Sequence, residues 1–195
     1  MNKYELLKEF QMFGRDLFLA GINNSHSGNI SYCSKPAGVI TITRSGAMLG
    51  HISINDLIET GLIANAINDK AASRELVVHR AIYAAGSSSA IIHSHPPSAI
   101  ALSLKTDLIK PIDAEGGYHF PDGIKVIDVK TAIASSEVAS KIAPVLKNEK
   151  VAIVRGHGAF AAGASLEECF LYTTALESVC KAIINYAIIA SAGMN

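Results

Sequence analysis

The sequence predicts an α/β protein of the α/β/α layered kind, and three observations predict it. Apolar residues fall in runs of helix or strand length, the two periodicities alternate along the chain, and clusters of Gly, Pro, Asp and Ser separate them. A chain of 195 residues with no linker-like interruption fits one domain, 1–195. Hydrophobic residues make up 49% of it, enough for a core, yet no apolar run approaches the roughly 18 residues that cross a bilayer. A soluble protein is therefore expected.

From Lys3 to Leu19, Leu6, Leu7, Phe10, Phe13, Leu17 and Phe18 recur at helical steps until Gly21 ends the helix. Glu5, Glu9 and Asp16 suit this amphipathic helix and not a signal peptide. Residues 23–31 are polar and small and read as a loop. Residues 38–43, rich in Val, Ile and Thr, read as a strand closed by Ser45 and Gly46. Helices are expected over 56–66 and 74–85, and a buried strand over 89–95 that stops at Pro96 and Pro97. Pro121, Asp122 and Gly123 make a turn before a strand at 124–129. Ser136 caps a short helix that Pro144 should kink or break, and 150–155 is another apolar strand. Ser165 and Glu168, at capping-box spacing, open a final helix that runs to about Ala190. Periodicity does not give the order of strands in the sheet.

Seventeen basic residues balance seventeen acidic ones, so no broad positive field is present to gather nucleic acid or anionic lipid. A small ligand is expected. Cys33, Cys169 and Cys180 form neither an even set nor a close-spaced metal pair, which suits reduced, core-packed thiols in a cytoplasmic protein.

The most informative segment is Ile91-Ile92-His93-Ser94-His95-Pro96-Pro97. Two histidines two apart on a strand share one face, about 7 Å apart along the backbone, and can converge on one metal. His157, flanked by Gly156 and Gly158 at the end of an apolar strand, supplies a third ring. Three histidines leave a zinc ion an open position for substrate, as a catalytic site needs. Glu75, at the start of a helix, is a fourth ligand, a general base, or an ordinary favourable charge at a helix N-terminus. His79, one turn later, reads as packing or as a partner behind the ligands, and His26, His51 and His119 as solvent-facing or locally hydrogen-bonded.

At these residues the chain resembles the class II aldolase and adducin family, especially its L-fuculose-phosphate aldolase branch, from Gly14 to about Ile184. The motifs fall in family order: Ser27-Gly28-Asn29-Ile30-Ser31, Thr43-Arg44-Ser45-Gly46, Ser73-Arg74-Glu75, His93-Ser94-His95, and Gly156-His157-Gly158 followed by Ser165-Leu166-Glu167-Glu168. The resemblance implies a three-layer domain with a central, mainly antiparallel sheet. It also implies one Zn²⁺ held by His93, His95 and His157, with Glu75 as a resting ligand and the acid/base residue. A phosphate pocket would be built from Gly28, Asn29, Ser45, Gly46 and Ser73, whose small residues expose donors to an oxyanion. Arg74 stands where relatives often have a second serine, and either adds a phosphate contact or faces solvent. Where the family's fuculose branch has a proton-transferring tyrosine, this chain offers Tyr118 from a neighbouring register, or Asp113 or Glu115. The chain stops at Asn195, without the longer tail that closes over the site in some relatives.

The implied activity is zinc-dependent, reversible cleavage of a ketose 1-phosphate of the L-fuculose 1-phosphate type to dihydroxyacetone phosphate and a small aldehyde such as lactaldehyde. Relatives use the same scaffold for sugar-phosphate 4-epimerisation or thiosugar-phosphate dehydration, and adducin head domains are metal-free binding modules. A glutamate at position 75 favours the aldolases over the epimerases, which tend to have aspartate there. The family further implies a homotetramer with its site at a subunit boundary.

Overall fold

The computed structural model describes residues 2–64 and 67–193. The strands are β1 (Asn29–Ser34), β2 (Val39–Thr43), β3 (Leu57–Gly61), β4 (Ala90–Ser94), β5 (Leu108–Ile109), β6 (Ile124–Ile127), β7 (Val151–Val154) and β8 (Gly158–Gly163). They form one eight-stranded sheet in the order β3-β2-β1-β4-β8-β7-β6-β5. Every pairing is antiparallel except that of β6 with β7, so the sheet is mainly antiparallel, as expected.

Among the described residues six α-helices cover the sheet: α1 (Lys3–Leu19), α2 (Leu76–Ala85), α3 (Pro97–Ser103), α4 (Ala114–His119), α5 (Ser136–Leu146) and α6 (Leu166–Ser191). Because successive strand residues point to opposite faces, the sheet feeds two cores. Ile92, Ala159 and Ala161 pack with Leu6, Phe10 and Leu17 of α1 and Leu166, Leu176 and Cys180 of α6. Ile91, Phe160 and Ala162 pack on the other side with Val78 and Ile82 of α2 and Val138, Ile142 and Leu146 of α5. These are the three layers. β4, buried at all five positions, is the middle of the sandwich.

The start of α1 shows how local chemistry sets the elements: the Asn2 side chain accepts from the Tyr4 and Glu5 N–H groups while Glu5 returns a bond to Asn2 N. Ser165 caps α6 by accepting from Glu168 N. No helix of the described residues is long and apolar enough to cross a membrane.

Four expectations need correction. The polar stretch 23–31 is a loop only to Gly28, since Asn29 already pairs with His93 in β1. Residues 57–61 form the edge strand β3, not a helix, because pairing with β2 along Thr41, Ile42 and Thr43 overrides the local apolar spacing; the end of that expected helix, 65–66, lies outside the described residues. Ser135, not Ser136, caps α5, and the helix continues through Pro144 to Leu146, so the proline does not break it. Finally β8, Gly158-Ala159-Phe160-Ala161-Ala162-Gly163, was not expected: alanine and glycine carry little strand signal, and only its return along β7 and β4 makes it one.

Candidate metal centre

The site lies at one end of the central strands. Asn29 of β1 stands opposite His93 of β4, which stands opposite Phe160 of β8. His157 occupies the tight turn from β7 to β8, closed by His157 N–H to Val154 O at 3.0 Å, with Gly156 taking the left-handed φ of +67° that the turn requires. Gly158 then lets β8 approach β4 closely: a Cβ there would strike the Ser94 carbonyl and stand 2.8 Å from His95 Cδ2.

The result is convergence. Ligand atoms of His93, His95 and His157 all lie within 4.8 Å of one another, and the Nε2 atoms of His93 and His95 are 3.0 Å apart. That spacing lets both reach one cation about 2 Å from each. His93 stacks on Phe160, with centroids 4.1 Å apart, and its Nδ1 faces the Ala159 carbonyl at 3.0 Å. Donation there turns the Nε2 lone pair inward, toward the other two rings. The Asn23 side chain accepts the His95 backbone N–H at 2.8 Å.

Glu75 sits at the N-cap of α2 but its side chain does not cap the helix. It turns to the histidines instead, with Oε1 accepting from Ala134 N at 2.9 Å and standing 3.9 Å from His157 Nε2. Glu75 Oε2 is buried with no hydrogen-bond partner. An orphaned carboxylate oxygen beside three imidazoles is costly alone and natural beside a divalent cation, so these residues fit a metal. Ala134 holds the unusual φ of +51°, and the strained turn presents its N–H to Glu75.

Burial pushes His93 well below the usual imidazole range, and His95 and His157 add to the effect. Burial, with His157, lowers His95 to about 4, and burial also lowers His157. All three rings are therefore neutral at pH 7, the form that ligates a metal. Burial raises Glu75, opposed by the Ala134 N–H and by Arg74, which suits a group that must both hold and release a proton.

These groups face a cavity of about 170 Å³ that Gly28, Asn29, Ser45, Gly46, Ser73 and Arg74 also line. Gly28 (φ +79°) and Gly46 (φ +68°) both take left-handed backbone, and a Cβ on Gly28 would stand 2.5 Å from Asn23 Nδ2 and 2.7 Å from His93 O. Arg44 lines the cavity too, with Nε 2.5 Å from Asp56 Oδ1. Burial raises the Asp56 carboxyl, but bonds from Ser53 and Arg44 outweigh it and hold it below the usual carboxylate range.

Tyr118 lies elsewhere. It is 83% exposed on α4, its ring against His119, and it does not line this cavity. Asp113 caps α4 by accepting from Gly116 N, and Glu115 stands 4.0 Å from His119, so none of the three expected proton carriers enters the site of its own chain. His79 is wholly buried, hydrogen-bonded to Ser31 and lowered to about 3 by burial, as packing requires. Sequence reasoning missed Ile133 in the cavity wall and Asn23 and Ala134 behind it, and gave Arg44 no role although it quoted its motif. His26 is exposed and bonded to Ser25 Oγ, as expected, and also borders the cavity; Ala134 acts through its backbone and leaves no residue-type signal.

Three neutral histidines and a carboxylate at the end of this sheet fit a divalent metal. The chain belongs to the class II aldolase and adducin family: the family model described as "Class II Aldolase and Adducin N-terminal domain" matches residues 8–184. The structure is similar to that of the L-fuculose-1-phosphate aldolase of Thermus thermophilus, with a TM-score of 0.90, 32% identity and 96% of each chain covered. The sequence is 30% identical to the methylthioribulose-1-phosphate dehydratase of Acidiphilium cryptum, over 87% of this chain and 85% of that protein. It is 29% identical to the L-fuculose phosphate aldolase of Methanocaldococcus jannaschii, over 89% of this chain and 93% of that one. The chain spans 21% of the length of the alpha-adducins of Rattus norvegicus and Mus musculus, which it also matches.

Proposed function

We propose that this protein is a zinc-dependent aldolase that reversibly cleaves a ketose 1-phosphate of the L-fuculose 1-phosphate type to dihydroxyacetone phosphate and a small aldehyde such as lactaldehyde. The observation that carries the reading is Glu75: a buried carboxylate with one orphaned oxygen, beside three neutral histidines, in the same cavity as the small-residue turns. His93, His95 and His157, with Glu75 as resting ligand, would hold the metal, which would supply Lewis-acid stabilisation of the negative charge that develops on the substrate when its carbon–carbon bond breaks. The turn backbones at Gly28 and Gly46 and the hydroxyls of Ser45 and Ser73 bind the phosphate, with Asn29 and Arg74 beside them. As the bond breaks, the hydroxyl that becomes the aldehyde gives its proton to a second carrier, while Glu75, protonated in the bound complex, gives one to the carbon left behind; in the reverse direction Glu75 takes that proton from dihydroxyacetone phosphate and the carrier returns the other.

Thirty per cent identity to a methylthioribulose-1-phosphate dehydratase supports a second reading, loss of water from a thiosugar phosphate. Product analysis separates the two. Incubation with L-fuculose 1-phosphate is expected to yield dihydroxyacetone phosphate, whereas a product of methylthioribulose 1-phosphate lighter by one water, with no cleavage of the fuculose ester, would replace aldolase by dehydratase. Conversion to an isomeric ketose phosphate would point to a 4-epimerase. An adducin-like module without a metal is disfavoured, because the ligand atoms already converge.

The reading includes a homotetramer, with Tyr118 serving as second proton carrier in a neighbouring subunit's site. Its 83% exposure on α4, and the exposed Tyr186, Ile188 and Ile189 on the last turns of α6, support burial against other copies. Light scattering on the purified protein should then give about four times 20.6 kDa; a monomer mass would remove this role for Tyr118. Three buried free cysteines, Cys33, Cys169 and Cys180, support a cytoplasmic setting.

A further inference from the structure

We propose that α3 is a strut that holds His95 and His157 in ligand geometry, and that Glu177 of α6 is the positioning residue that fixes it. The proposal rests on the three-histidine centre and is independent of which sugar phosphate the enzyme takes.

α3 starts two residues after His95, and its N-cap, Pro96, has no side chain to offer. Pro97 has no N–H, and Ile100 N already bonds to Pro96 O at 3.0 Å. That leaves the N–H groups of Ser98 and Ala99, and both go to one carboxylate: Glu177 accepts from Ser98 N at 3.1 Å and from Ala99 N at 3.2 Å. Glu177 is 3% exposed. Besides these donors, its Oε1 stands 3.6 Å from the largely exposed Lys181, so the two α3 N–H groups are its buried partners. Between His95 and these pinned groups stand only Pro96 and Pro97, whose φ angles are locked, so the connection has little slack. Asn23 clamps the other side of the same residue through the His95 N–H.

The far end of α3 is tied to the third ligand. Ser103, wholly buried, accepts the Gly156 N–H on its Oγ at 3.0 Å, and the Ser103 carbonyl accepts from Arg155 Nη1. Gly156 directly precedes His157. One short helix thus links the backbone at His95 to the turn that carries His157, and α6 anchors it from outside the site.

The test is metal affinity, with Zn²⁺ as probe and a competing chelator, on the full chain. Groups that orient ligands from behind typically contribute about 10–100-fold in affinity. Glu177→Ala is expected to weaken Zn²⁺ binding within that range. Glu177→Gln should fall between it and wild type, because one amide oxygen still accepts. Ser103→Ala, which removes the bond from Gly156 N–H at the other end and leaves the Arg155 one, should also weaken binding. Ile142→Ala, in the α5 layer across the sheet, provides a variant destabilised for other reasons, compared by Tm, and should keep wild-type affinity. Should Glu177→Ala fail to fold, Glu177→Gln and Ser103→Ala carry the test. Wild-type affinity in the Glu177 and Ser103 variants, or equal weakening in Ile142→Ala, overturns the proposal. A wild-type chain that binds no divalent ion would instead sink the metal centre itself.

Discussion

Glu75→Gln is expected to lower kcat by about 10²–10⁴-fold, the usual worth of a positioned acid or base, while the protein still binds one metal per chain. The expectation follows from where the side chain points. A glutamate at the head of α2 could have capped the helix, and this one does not. It lies among the histidines, raised by burial and held by the Ala134 N–H, with Oε2 unpartnered. Glutamine keeps the volume and a carbonyl for Ala134 but neither gives nor takes the proton. Three histidine ligands remain, so metal content is a control and not the readout. Full activity with metal bound would end the assignment of Glu75 to proton transfer.

His93→Ala should have the larger effect on the metal. His93 is 1% exposed, stacked on Phe160 and oriented by the Ala159 carbonyl, so its Nε2 is the most firmly held of the three donors. Removing it leaves His95 and His157, with only Glu75, the group needed for proton transfer, to make a third ligand. Affinity should fall by more than the roughly 10–100-fold that follows loss of an outer contact, and activity should fall with it even when added metal is raised. Calorimetric titration measures the first and initial rates the second. Unchanged affinity would remove His93 from the ligand set.

Much of this site was legible because its residues carry chemistry in their type and spacing. His93 and His95 stand two apart at the end of an apolar run, the second just past β4, His157 sits between glycines, and all three meet. The strand at 90–94 and the capped helix at 166–191 were equally plain, since each combines an apolar run with a clear stop or start. What stayed hidden works through backbone or distance. β8 is nearly all Gly and Ala and becomes a strand only by pairing on both sides. β3 has apolar spacing that also fits a helix, and only the neighbouring β2 decides it. Glu177 looks like one more acidic residue on a long helix, and its partners lie 79 and 78 positions away. Tyr118 shows the opposite limit: a phenol in a suggestive segment, placed by the fold on an exposed helix away from its own chain's cavity.

The central claim is that one divalent metal, held by His93, His95 and His157, drives carbon–carbon cleavage of a sugar phosphate. The direct measurement is release of dihydroxyacetone phosphate from L-fuculose 1-phosphate by zinc-loaded protein, beside a chelator-stripped sample and His93→Ala. Release that vanishes on stripping, returns on adding zinc and is absent from His93→Ala is the predicted result. Release that survives complete removal of metal, or none from protein carrying one equivalent of zinc, would contradict it.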